Sequence, residues 1–113
     1  MNCTLSRVDG IHVVELAGEL DANTSPVAQR EIMPLAGTGQ SILLDMSGVT
    51  FMSSAGLRLL LSTYRQVSTL GGAIALSGLS EELRDTMSMT GFLSFFAIHD
   101  DRHSGLAALR VRT

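Results

Sequence analysis

The side chains able to do chemistry in this chain gather around two adjacent serines, Ser53 and Ser54, with Gly56 two positions beyond the second. A serine followed at that distance by glycine suggests the sharp turn that presents a hydrolase nucleophile. That turn also needs a glycine two residues before the serine, and Met52 stands there. A serine nucleophile further requires a histidine base and an acid to orient it. His12, His99 and His103 fall in strand-like segments or near the last helix, where ordinary strand and surface roles suffice for them. No HExxH site, paired CxxC or glycine-rich phosphate loop occurs. Catalysis has no evident home, and a small serine hydrolase ranks last among the functions to consider. No metal and no cofactor is implied.

What the two hydroxyls share is the beginning of a helix. Leu57, Leu60, Leu61, Tyr64 and Val67 spell an apolar helical face, with Arg58, Ser62, Arg65 and Gln66 on the other side. Gly71-Gly72 then supplies the left-handed backbone that follows many helices. The N–H groups of a first helical turn have no intrahelical partner, and the helix dipole makes that end partly positive. Ser53 and Ser54 therefore either cap this helix through their oxygens or carry an anion where an anion is well received.

The elements that must position this start are legible on both sides. Ile42, Leu43 and Leu44 form a run suited to a strand buried on both faces, Asp45-Met46-Ser47-Gly48 has turn chemistry, and Val49 to Met52 is a second short apolar piece. Upstream, Leu5 to Val8 and Ile11 to Leu16 read as strands joined by Asp9-Gly10, a strong hairpin signal. Gly18-Glu19-Leu20-Asp21 closes the second strand, and Thr24 or Ser25 caps a helix whose first position is Pro26 and which Pro34 ends or bends. Downstream, Ala73 to Leu76 is a strand, and Ser80 opens a helix with Glu81 and Glu82 in its first turn that breaks at Gly91. Phe95 to Ile98 is the expected last strand, and Asp100-Asp101 precede a closing helix through Leu109. This alternation predicts an α/β fold with a mixed, mostly parallel sheet covered by helices.

With 113 residues, 45% of them apolar, residues 1–113 fit a single domain with one core. The apolar runs are too short to cross a bilayer, and the start lacks an export signal, so the expectation is a cytoplasmic protein without membrane insertion. The net charge is −3, every basic residue is an arginine, and no basic cluster exists to meet a phosphate backbone. Direct nucleic-acid binding is not expected; a protein or small-ligand partner remains. Cys3, the only cysteine, has no companion for a disulfide or a thiolate metal site. Met46, Met52, Met87 and Met89 flank apolar segments and are expected to fill gaps in the core.

The run from Asp45 to Leu57, DMSGVTFMSSAGL, resembles the signature segment of STAS domains, and specifically that of anti-sigma factor antagonists. Gly18-Glu19-Leu20-Asp21 is similar to that family's loop after the second strand, and Met89-Thr90-Gly91-Phe92 to its threonine-glycine turn before the last strand. The resemblance thus spreads over nearly the whole chain. It implies a STAS fold, a single mixed sheet of four to five strands with about four helices. It also implies partner switching: a GHKL-type anti-sigma factor that is a serine kinase binds the unphosphorylated protein and phosphorylates it, and a PP2C-type phosphatase resets the cycle.

By position, the resemblance makes Ser54 the phospho-acceptor, with Ser53 as the alternative. Many members have an aspartate before the acceptor and a serine or threonine after it; here those places hold Ser53 and Ala55. Asp21 matches the loop acid near the acceptor. Asp21, Thr24, Ser53 and Arg58 are the expected partner-binding or positioning residues, with Ser47 a further candidate. The other reading is an accessory or ligand-binding STAS domain of a transporter or another signalling complex.

Overall fold

The computed structural model describes residues 1–111. Its elements, in chain order, are β1 (Asn2–Val8), β2 (Ile11–Leu20), α1 (Ser25–Ala36), β3 (Ile42–Met52), α2 (Ser54–Thr69), β4 (Ile74–Ser77), α3 (Glu81–Met89), a single 3-10 turn (Leu93–Phe95), β5 (Ala97–His99) and α4 (Arg102–Val111). The strands lie side by side in sequence order as a five-stranded sheet. β1 and β2 are antiparallel through a turn in which Asp9 and Gly10 both take positive φ, 53° and 79°, the conformation that matches the twist of a two-residue hairpin. β2, β3, β4 and β5 run parallel, each joined to the next through a helix. This is the mixed sheet with helical cover that the order of elements predicts.

The helices divide unequally between the two faces. Val14, Leu16, Leu20, Leu44 and Met46 meet Ala28 and Ile32 of α1, Leu57, Leu60 and Val67 of α2, and Leu83 and Met87 of α3 in the main core. On the opposite face Ile11, Val13, Leu43 and Ala75 are covered by Leu106 and Leu109 of α4 alone. Alternation along β2 and β3 sends successive side chains to the two cores. Each fully buried Leu, Ile or Val contributes roughly 1.5–3 kcal/mol relative to exposure, so the main core dominates.

Four local expectations are revised. Asp45 to Gly48 is not a turn, because β3 continues unbroken to Met52, keeping its pairing with β2 through two irregularities, between Glu15 and Ala17 and between Gly18 and Glu19. Pro34 does not end α1, which runs on to Ala36. Proline in the last turn removes only one bond, and Gly37 and Thr38 still donate to Met33 and Leu35. The last strand begins at Ala97, not Phe95: β4 offers it only Ala75, Leu76 and Ser77 as partners. The preceding phenylalanines pack on Tyr64 instead, with ring centroids 5.7 Å away in both cases. Met46, Met52 and Met87 fill the core as expected, but Met89 is 88% exposed at the end of α3.

Candidate functional site

β2 and β3 end side by side, their last paired residues being Leu20 and Met52. Asp21 and Ser53 are therefore the first residues to leave the sheet at the same place. The join is held by the Ser53 N–H, which donates to the Leu20 carbonyl at 2.9 Å. Gly56, in the first turn of α2, lies directly over it. A Cβ there would stand 2.8 Å from the Leu20 carbonyl oxygen and 2.8 Å from Met52 Cγ. The glycine two residues after Ser54 is thus a packing requirement: it lets the start of α2 settle onto the end of β2 and fixes where the serines point.

The two hydroxyls are not equivalent. Ser53 is half-buried with extended backbone, φ −90° and ψ 179°, and its Oγ accepts the Ala55 N–H at 3.2 Å, which makes it the N-cap of α2. Ser54 is the first helical residue; its side chain is exposed and makes no hydrogen bond to the described chain. The alternatives of cap and free hydroxyl are therefore divided between neighbours.

Beside them the β2–α1 loop is closed on itself. Asp21 Oδ1 accepts the Asn23 N–H at 2.9 Å and the Thr24 N–H at 3.0 Å. The Thr24 hydroxyl donates to the Glu19 carbonyl at 2.7 Å and accepts the Asp21 N–H at 2.9 Å. Hydrogen bonds from Thr24, then Asn23, hold the Asp21 carboxyl below its ordinary pKa, so it is anionic at neutral pH. Thr24 occupies the N-cap position of α1, but its hydroxyl serves this loop and no side chain caps the helix; the Ser25 N–H donates instead to the Asp21 backbone carbonyl at 2.8 Å. Here the expectation that Thr24 or Ser25 caps α1 by its own side chain is corrected.

Between α1 and α2 runs an open groove of about 350 Å³, lined by Ala22, Ser25, Gln29, Ala55, Arg58 and Ser62 among others. Arg58 is exposed, one helical turn beyond Ser54, and has no ion pair in the described chain. Asp21, Thr24, Ser53, Ser54 and Arg58 thus share one end of the molecule. Ser47 does not join them; its hydroxyl donates to Asp45 at 2.7 Å in a separate network with Arg102 and Glu15. That network was not legible locally, because Arg102 lies 57 residues from Asp45. The histidines do not assemble with the serines: His12 is buried on β2 with Nε2 3.5 Å from the Thr38 hydroxyl, while His99 and His103 lie at β5 and α4. Among the described residues no group of three or more His, Cys, Asp or Glu side chains could hold a metal ion.

Comparison with known proteins agrees with this fold. The model of the STAS domain family matches residues 2–105. The anti-sigma-B factor antagonist of Bacillus subtilis is 31% identical over 93 residues, covering 82% of this chain and 85% of the relative. A crystal structure of an anti-sigma factor antagonist from Mycobacterium paratuberculosis superposes with a TM-score of 0.86 at 25% identity, covering 96% of this chain and 93% of that one. A likeness of fold alone extends to the murine solute carrier 26 family member A9 anion transporter, with a TM-score of 0.81 at 18% identity over 94% of this chain and 18% of that one.

Proposed function

The chain belongs to the STAS domain family, and from that premise we propose that it is an anti-sigma factor antagonist: a non-catalytic binding module whose partner is an anti-sigma factor, switched by phosphorylation of Ser54. In this reading the unphosphorylated protein binds a GHKL-type anti-sigma factor and serine kinase, and a PP2C-type phosphatase restores the binding form. Asp21, Thr24, Ser53 and Arg58 contact the partner or hold the acceptor in place. The system works in the cytoplasm, and among the described residues no helix is long and apolar enough to cross a membrane.

The observation that supports it most is the difference between the two serines. A kinase needs a hydroxyl that is exposed and uncommitted, and Ser54 has one while Ser53 is held as a cap. Phosphorylation adds about −1.5 to −2 charge at neutral pH, and the start of α2 tolerates it because its N–H groups and dipole favour an anion. A partner surface fitted to a neutral serine does not. A charge left unpaired across an interface costs on the order of 2–5 kcal/mol, roughly 30- to 4,000-fold in affinity. The switch then needs no refolding of the antagonist.

The test uses the anti-sigma kinase and ATP with the full chain. Wild type takes one phosphate at Ser54 and releases the kinase, Ser54→Ala binds and takes none, and Ser54→Asp binds weakly. A Ser54→Ala protein phosphorylated stoichiometrically would move the acceptor to Ser53. The fold likeness to a transporter domain supports the second reading, an accessory or ligand-binding STAS domain. Co-purification with a transporter and not with a kinase would favour it.

A further inference from the structure

The groove beside Ser54 has one-sided chemistry. Its lining holds one cation, Arg58, and no carboxylate, although acidic residues outnumber basic ones over the whole chain. α2 as a whole carries Arg58 and Arg65 and no Asp or Glu. Ser25, in the same lining, is 8% exposed, and its hydroxyl has no hydrogen-bond partner. A cation free of any ion pair on the α2 wall and a buried hydroxyl with no partner on the α1 wall suit an anion. Arg58 is four residues beyond Ser54 on the same helix, and side chains at that spacing are neighbours, about 5–6 Å apart at Cβ.

We propose that this groove receives the phosphoryl group once it is on Ser54, and that Arg58 is its intramolecular counter-ion. The inference rests on Ser54 being the phospho-acceptor. In the transfer, the Ser54 Oγ–P bond forms and the bond from the γ-phosphorus to the bridging oxygen of a nucleoside triphosphate breaks. The diphosphate leaves and the hydroxyl proton passes to a base of the kinase or to solvent. The dianion then draws in the guanidinium, whose planar fork suits phosphate oxygens. The modification therefore changes the binding face twice: it adds negative charge at Ser54, and it removes Arg58 from reach of any acidic group on the partner.

The phosphorus-31 titration of the phosphorylated protein tests this, because a counter-ion favours the dianion and lowers the second phosphate pKa, which is about 6 when unperturbed. In Arg58→Gln the midpoint rises by about half a pH unit relative to wild type, and Arg58→Lys recovers part of the shift. A purely structural role for Arg58 would change the melting temperature of the unphosphorylated protein without this shift. Coincident titrations of wild type and Arg58→Gln overturn the inference while leaving Ser54 as the acceptor. A protein whose only phosphate is elsewhere overturns the functional reading itself. Both proteins are prepared by kinase treatment of the full chain, with the phosphate placed by mass spectrometry before titration.

Discussion

Arg102, at the start of α4, grips the carboxylate of Asp45 in the middle of β3: Nη2 stands 2.8 Å and Nε 3.2 Å from the same Oδ2. The same Nη2 reaches Glu15 Oε2 on β2 at 3.0 Å, so one guanidinium ties the closing helix to two neighbouring strands. Asp45 is only 8% exposed, and burial by itself would raise its pKa. The Ser47 hydroxyl and N–H and the Arg102 guanidinium outweigh that effect and hold it below the ordinary carboxyl value. A group whose folded pKa is depressed contributes stability above its unfolded value, about 3.9, and loses it as pH falls through the folded value. Arg102→Gln is therefore expected to destabilise the protein at neutral pH by roughly 1–3 kcal/mol, below the cost for a fully buried pair because the arginine is partly exposed. Urea unfolding at pH 7 and again below pH 4 checks this. The gap between variant and wild type should close in acid, and an equal gap at both would remove the ion pair from the account.

Gly56→Ala is expected to cost roughly 1–3 kcal/mol despite alanine's better helix propensity, because the new methyl meets a backbone carbonyl that cannot step aside. The shift of the urea midpoint measures it. A stabilised Gly56→Ala protein would mean that α2 does not rest on the end of β2 as closely as described.

The division of labour between the serines separates stability from modification. Ser53→Ala loses the N-cap and about 1 kcal/mol, yet keeps the phosphate site. Ser54→Ala stays within about 0.5 kcal/mol of wild type and loses it. Melting curves of both variants check the first difference and intact mass after kinase treatment the second; phosphate on Ser54→Ala and none on Ser53→Ala would make Ser53 the acceptor.

Two methionines on α3, two residues apart, are expected to behave oppositely. Met87 is fully buried and its truncation to alanine should cost roughly 2–5 kcal/mol, whereas Met89→Ser should be neutral within about 0.5 kcal/mol. Similar losses for both would place Met89 in a contact that this fold does not contain.

Where local chemistry decides the backbone, the sequence was a good guide. The Asp9-Gly10 turn, the cap at Ser80 with its Glu81-Glu82 first turn and the start of α2 at the serines all come from groups within a few residues of one another. α2 departs in part from its expected apolar stripe: Leu61 and Tyr64 are only half-buried, while Leu59 and Thr63, outside that stripe, are buried. α1 lies along one side of α2, and the burial of that flank depends on a neighbour that periodicity does not reveal.

By itself, then, the sequence determined the alternation of strands and helices, the placement of two hydroxyls at a helix start, and the family that its motifs indicate. The tertiary structure decided which hydroxyl is free, because Ser53 is drawn into the cap as α2 docks through Gly56 onto Leu20. It also decided that Asp45 belongs inside a strand, because a carboxylate is tolerated there only with a cation beside it, and that cation arrives from the far end of the chain. Short-range backbone preferences are written in neighbouring residues; the burial and pairing of charges depend on residues that only the fold brings together.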